Sequence, residues 1–246
     1  MHRILNIASN EYNDVDFIEQ PKADFIFITS VKADINILAE LVSNKKYGKL
    51  YNNIRALHLS NLKTPSQIDH YVNTTIKHAK VVVLRLFGDR GTWSYGIEQL
   101  QNWRDLNKNN ILLILSGTED EDISLNELSS VDKNISIRIS KLLREGGKQN
   151  YERFIICLNF LNDKNKRIPD KYLKCVRYAD PYLYDWKNEK GYKVGIISYK
   201  SLFLANEVKL SNSLNEQLRK KGFSPKTIFV SSLKDINIHN YLLNLI

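Results

Sequence analysis

The stretch LRLFGDRGTWSYGIEQL, residues 84–100, gathers side chains suited to holding a flat, charged ligand. Arg85, Asp89, Arg90, Trp93, Tyr95 and Glu98 fall within it. Trp and Tyr offer planar faces for a ring, and Arg can grip a carboxylate through two parallel hydrogen bonds. Gly88, Gly91 and Gly96 between them permit backbone turns that other residues resist. The same residues also allow a packing role, in which Trp93 and Tyr95 plug the end of a sheet and the charges stay solvated. Local composition leaves both readings open.

Other candidate chemistry is weaker. REGGKQN places Gly146 and Gly147 before Lys148, yet a phosphate-binding P-loop needs a glycine where this chain has Leu142 and a Ser or Thr where it has Gln149. The glycine pair therefore reads as a helix stop and restart, and ATP chemistry is not expected within the chain. His2, His58, His70, His78 and His239 lack any spacing that would place two ligands on one helical face, so no metal site is assigned. No Gly-x-Ser-x-Gly elbow is present. Cys157 and Cys175 are too few and too casually spaced for a disulfide framework or zinc site, and read as reduced thiols.

The elements that must position these residues show in the apolar pattern. β-Branched apolar runs at Ile4–Ala8, Phe25–Thr29, Ile54–Leu59, Val81–Phe87 and Ile111–Leu115 are mostly continuous, as in strands covered on both faces. Helical spacing links Ile35, Leu38, Ala39 and Val42; Ile68, Tyr71, Val72, Thr75, Ile76 and Ala79; and Ile97, Leu100, Trp103 and Leu106. Ser66, behind Pro65, is the expected N-cap of the second. Alternating strands and helices predict an α/β fold: an open, mostly parallel, doubly wound sheet of the flavodoxin or Rossmann type over residues 1–165. In such a sheet ligands sit beyond the carboxyl ends of the strands, where residues 84–100 fall.

A charged, tyrosine-rich connection, 166–190, carries Pro169 and Pro181 and is expected to lie on the surface. A second strand-helix-strand unit occupies 191–246: KVGIISY, a helix carrying Leu210, Leu214 and Leu218 and ended by Gly222, then a strand at Thr227–Val230. Three such elements are too few to close a core, which makes this unit an incomplete start of a second α/β domain.

Length and charge bound the function. A chain of 246 residues with 43% hydrophobic and 26% charged residues can bury a sizeable core. Its net charge of +9 comes mostly from dispersed lysines without the clustered, aromatic-interleaved face of a nucleic-acid binder. No apolar run approaches the roughly 18–20 residues needed to span a bilayer, and MHRILNIASN lacks a signal-peptide layout, so a cytoplasmic protein without membrane partners is expected.

Five stretches, in order, resemble the amino-terminal region of the large subunit of aerobic, ATP-dependent cobaltochelatase, the CobN type related to the magnesium chelatase H subunit. They are ADFIFITSVKADINILAE, IRALHLSNLKTPSQIDHYV, AKVVVLRLFGDRGTWSYGIEQL, REGGKQNYERFIICLNFL and VGIISYKSLFLANEVKLSNSLNEQLRKKGFSPKTIFVSSLKD. The chain departs from the family pattern at Asp89, Thr92 and Asn206. The resemblance implies a tetrapyrrole substrate, hydrogenobyrinic acid a,c-diamide, with Co²⁺ as substrate metal and ATP with Mg²⁺ used by separate AAA+-type subunits. It further implies that the remaining carboxy-terminal part of the large subunit is needed, so that the chain is a split subunit, a truncated gene product or an excised piece, and is not expected to be active alone. Arg85, Asp89, Arg90, Trp93, Tyr95 and Glu98 would help cradle the ring, while catalytic residues are not nameable. The alternatives are a magnesium chelatase H fragment acting on a porphyrin, and a non-catalytic binding or assembly module.

Overall fold

Strands that are apolar at every position need cover on both faces, and the chain supplies it. The computed structural model describes residues 16–43, 53–118, 123–163, 166–187 and 189–245. The expected strand at Ile4–Ala8 and His2 lie outside them. Strands β1 (Phe25–Thr29), β2 (Ile54–His58), β3 (Val81–Leu86) and β4 (Ile111–Ser116) form a parallel sheet of order β2-β1-β3-β4. Phe25 is in register with Ile54 on one side and Val81 on the other, and Val81 with Ile111. This is the doubly wound α/β arrangement that the alternating pattern predicts.

Alternation along the strands sorts the core into two layers. Phe25, Phe27, Val81, Val83, Leu113 and Leu115 meet helices α1 (Lys32–Ser43), α5 (Lys133–Glu145) and α6 (Lys148–Asn162). Ile26, Ile28, Val82, Leu84, Leu112 and Ile114 meet α2 (Pro65–Thr74), α3 (Ser94–Leu106) and the short α4 (Ile123–Asn126). Winding from β1 to β2 and then back past β1 to β3 puts α1 on one face and α2 and α3 on the other.

Several local expectations are corrected. Thr64, not Ser66, caps α2: its hydroxyl accepts from the Gln67 amide, and the Gln67 side chain returns to the Thr64 amide. This capping box outcompetes Ser66, which follows Pro65 inside the helix. The buried stripe of α1 is Asp34, Ile37, Leu38 and Leu41, one position earlier than the apolar count suggests, and Ala39 is exposed. Leu106, at the last position of α3, is 85% exposed. The reading of Gly146 and Gly147 matches the structure: α5 stops and α6 restarts across them at φ of +67° and +76°. Asn150 locks this junction, its amide donating to the Gly146 and Val176 carbonyls while its oxygen accepts from the Val176 amide.

The connection does more than cross the surface. After α7 (Asp170–Leu173) it forms β5 (Tyr182–Tyr184), which pairs antiparallel with β7 (Ser224–Val230). Strand β6 (Lys193–Tyr199) lies parallel on β7's other side, giving the order β5-β7-β6. The short α8 (Lys200–Leu204), α9 (Lys209–Lys220) and α10 (Ile236–Leu245) complete this part. On α9 the buried residues are Ser211 and Asn215, whereas Leu210 and Leu214 are 72% and 42% exposed. The reason lies in Thr227 on β7, which donates its hydroxyl to Asn215 at 2.7 Å and so turns a polar helix face inward. Among the described residues no helix is long and apolar enough to cross a membrane.

Candidate functional site

The sheet reverses its winding between β1 and β3, so the loops beyond their carboxyl ends part and leave a crevice. Ser30 stitches this point: its amide and hydroxyl both donate to the Arg85 carbonyl, and its oxygen accepts from the Phe87 amide at 2.6 Å. A cavity of about 760 Å³ opens here, walled on one side by the first sheet's loops and on the other by Tyr199, Lys200 and Ser201 of the second. That volume lies within the usual range of small-molecule sites.

Three buried polar residues line the cavity. Arg85, next to last in β3, faces α1 and α6, Asp34 lies in the first turn of α1, and Tyr151 in the first turn of α6. Arg85 Nη1 donates to Asp34 Oδ1 at 2.6 Å and to Tyr151 Oη at 3.3 Å. The Tyr151 hydroxyl donates to the same carboxylate oxygen, and Thr29 Oγ1 donates to Asp34 Oδ2 at 2.6 Å. Burial pushes the Asp34 carboxyl up, against the pull of Arg85 and its hydroxyl donors. Burial, with Asp34 beside it, raises the Tyr151 hydroxyl well above its ordinary range.

Around this set the lining is mixed. Lys141, Arg144 and Glu145 come from the end of α5, while Lys200 donates to the Tyr178 carbonyl and pairs with Asp180 at 3.4 Å. Phe87 and Tyr199 line the mouth, 49% and 63% exposed. The arrangement can hold a ligand with a polar, charged group directed inward and a flat body near the rim.

The structure does not bring the six sequence-predicted residues together. Arg85 alone enters the cavity. Trp93 packs on the opposite face of the sheet, donates Nε1 to the Leu62 carbonyl at 3.1 Å, and lays its ring over Gly96, where a Cβ would sit 2.3 Å from the indole. Packing, rather than a turn, is thus what Gly96 serves, inside α3. Tyr95 donates to Asp69 at 2.7 Å, a bond that raises its hydroxyl. Asp89 accepts from the Gly91 amide as a cap, and Arg90 and Glu98 are exposed. Sequence reasoning missed Asp34, Tyr151, Phe87 and Tyr199. Asp34 carried a signal, a carboxylate at the helical spacing of Ile37, Leu38 and Leu41. Among the described residues no three His, Cys, Asp or Glu side chains gather as a metal site.

No family model matches the chain. Two curated proteins do, both aerobic cobaltochelatase subunit CobN. The protein from Pseudomonas aeruginosa is 25% identical over 230 residues, covering 89% of this chain and 18% of its own length. That from a Sinorhizobium species is 25% identical over 240 residues, covering 91% and 18%. The chain resembles the CobN-type cobaltochelatase large subunit. It spans about a fifth of the length of these CobN proteins. Its fold also matches the catalytic subunit of cobaltochelatase from Mycobacterium tuberculosis, with a TM-score of 0.54 and 17% identity over 91% of this chain and 17% of that one. Arg85 and Tyr151 lie in two of the five stretches that carry the CobN resemblance, and Asp34 in a third.

Proposed function

We propose that the chain is the amino-terminal α/β part of a cobaltochelatase large subunit and takes part in inserting Co²⁺ into hydrogenobyrinic acid a,c-diamide during cobalamin biosynthesis. The observation that supports this best is similarity to CobN from two bacteria along about nine-tenths of the chain. In this reading the chain contributes binding surface, the downstream part of the large subunit completes the site, and separate AAA+-type ATPase subunits supply energy from ATP and Mg²⁺. Chelation requires the pyrrole N–H protons to leave to a base as the metal enters as a Lewis acid.

A second reading, an assembly module without a catalytic part, is favoured by the exposed apolar side chains Ile197 and Tyr199 of β6 and Leu210 and Leu214 of α9. Reconstitution separates the two. The chain, the downstream portion and the ATPase subunits are mixed with ATP, Co²⁺ and the corrin precursor, and metal insertion is followed by absorbance. Insertion that needs this chain supports the proposal, and insertion at an equal rate without it sinks it. A parallel arm with Mg²⁺ and protoporphyrin tests the magnesium chelatase alternative.

A further inference from the structure

We infer that the cavity at the β1/β3 switch point is an oxyanion site that takes a carboxylate-bearing, flat ligand, with the Nε–Nη2 edge of Arg85 as its anchor. Arg85 is only 5% exposed and lines the cavity. Its Nη1 is committed to Asp34 and Tyr151, whereas Nε is buried without a hydrogen-bond partner, and among the described residues nothing bonds Nη2. A buried N–H without a partner, as at Nε, is rare because it costs free energy that a partner would recover, and Nη2 beside it is free to share that partner. That edge has the spacing of two carboxylate or phosphate oxygens. Asp34 does not fill it, since its oxygens already receive Arg85 Nη1, Tyr151 and Thr29.

Three further features point the same way. Helix α1, with twelve residues, starts at the cavity wall, where Val31 and Ala33 line it, and its N-terminal end carries the positive pole of the helix dipole. The carboxylate Asp180 on the far wall is neutralised by Lys200 and by the Ser231 amide. Exposed Phe87, just after β3, and Tyr199, at the end of β6, are surfaces at the mouth on which a planar body can lie. The oxyanion site follows from this geometry, while equating its ligand with a corrin precursor rests on the proposed function.

The test is calorimetric titration of the full chain with three probes: hydrogenobyrinic acid a,c-diamide, its fully amidated counterpart without carboxylates, and inorganic phosphate. The carboxylated ring is expected to bind at least about tenfold more tightly than the amidated ring, the worth of a charge-assisted pair of hydrogen bonds. Arg85→Lys, which keeps the charge but loses the fork, should erase that preference. Phe87→Ser and Tyr199→Ser, at exposed positions that leave the fold intact, should each weaken ring binding several-fold. Equal affinity for the two rings, ring binding indifferent to all three variants, or no binding of any probe overturns the site. Ring binding that ignores the variants leaves the chelatase reading standing. Phosphate binding lost in Arg85→Lys, with no ring binding, keeps the site and removes that reading. Should Arg85→Lys fail to fold, the two rings on the unsubstituted chain and the two rim variants decide.

Discussion

In the first sheet every residue of β1 and β3 is buried; in the second, β6 alternates between half-buried and exposed along its whole length. Composition opens the gap between β1 and β6, since FIFIT is apolar but for its last residue while KVGIISY carries Lys193, Gly195 and Ser198. Cover widens it. The first sheet has helices on both faces, whereas Ile197 and Tyr199 of β6 lie open beside the small cluster of Ile228, Val230, Ile238 and Leu242. The difference teaches that a continuous apolar run reports the burial a strand is suited to, while the elements around it decide the burial it receives.

The largest effects should follow that contrast. Phe27 is fully buried and packs at a tilt against Phe154, 5.3 Å between ring centres. Phe27→Ala should cost about 3–5 kcal/mol, the usual toll of emptying an aromatic site in a packed core. Ile197, 43% exposed, already loses much of its burial energy, so Ile197→Ala should cost less than about 1 kcal/mol. Urea denaturation of the two variants measures both, and comparable losses would mean that the second sheet is as well covered as the first.

The ion pairs repeat the contrast at smaller scale. Asp34→Ala strands Arg85 in the interior, and removing one member of a buried pair costs about 3–5 kcal/mol. In the second sheet Arg219 holds Asp185 and Glu189 at 2.6 and 2.7 Å, but all three are partly solvated. Arg219→Gln should therefore cost about 1 kcal/mol or less, and the loss should shrink as salt is added. The Asp34 variant should be insensitive to salt, which a denaturation series at two ionic strengths checks.

Legibility in the sequence followed the same division. The strands of the first sheet and the helix breaks at Gly146 and Gly147 could be read directly, because each rests on local chemistry: apolar runs or a backbone that only glycine adopts with ease. What escaped depended on distant partners. Trp93 looked like a ligand platform, and only the fold shows its indole committed to Leu62 and Gly96. Asp34, Arg85 and Tyr151 are far apart in sequence and become one network through the winding of the sheet. The leucines of α9 formed an apolar stripe on paper, yet Thr227 on the facing strand drew Asn215 inward instead.

Acid should separate the two sheets as well, with the smallest effect. Asp185 is pushed up by partial burial, but the Arg219 bond and charge outweigh this and hold its carboxyl below the ordinary range. A depressed folded-state value contributes stability above the unfolded one, near pH 4, and that contribution fades as pH falls through the folded value. Asp34 has the opposite sign: its raised carboxyl favours the folded state below about pH 4 and loses that contribution as pH rises. Lowering the pH from 5 to 3 should thus loosen the second sheet while the network under the first gains relative stability. Trp186, whose Nε1 donates to the Thr227 carbonyl at 2.9 Å, reports on the second sheet. Its fluorescence should change over this interval in a denaturant-biased titration. Asp185→Asn, which tolerates the positive φ of 54° found there, should flatten the change. An acid response that persists in Asp185→Asn would assign it to another carboxylate and remove Asp185 as the group that sets the second sheet apart.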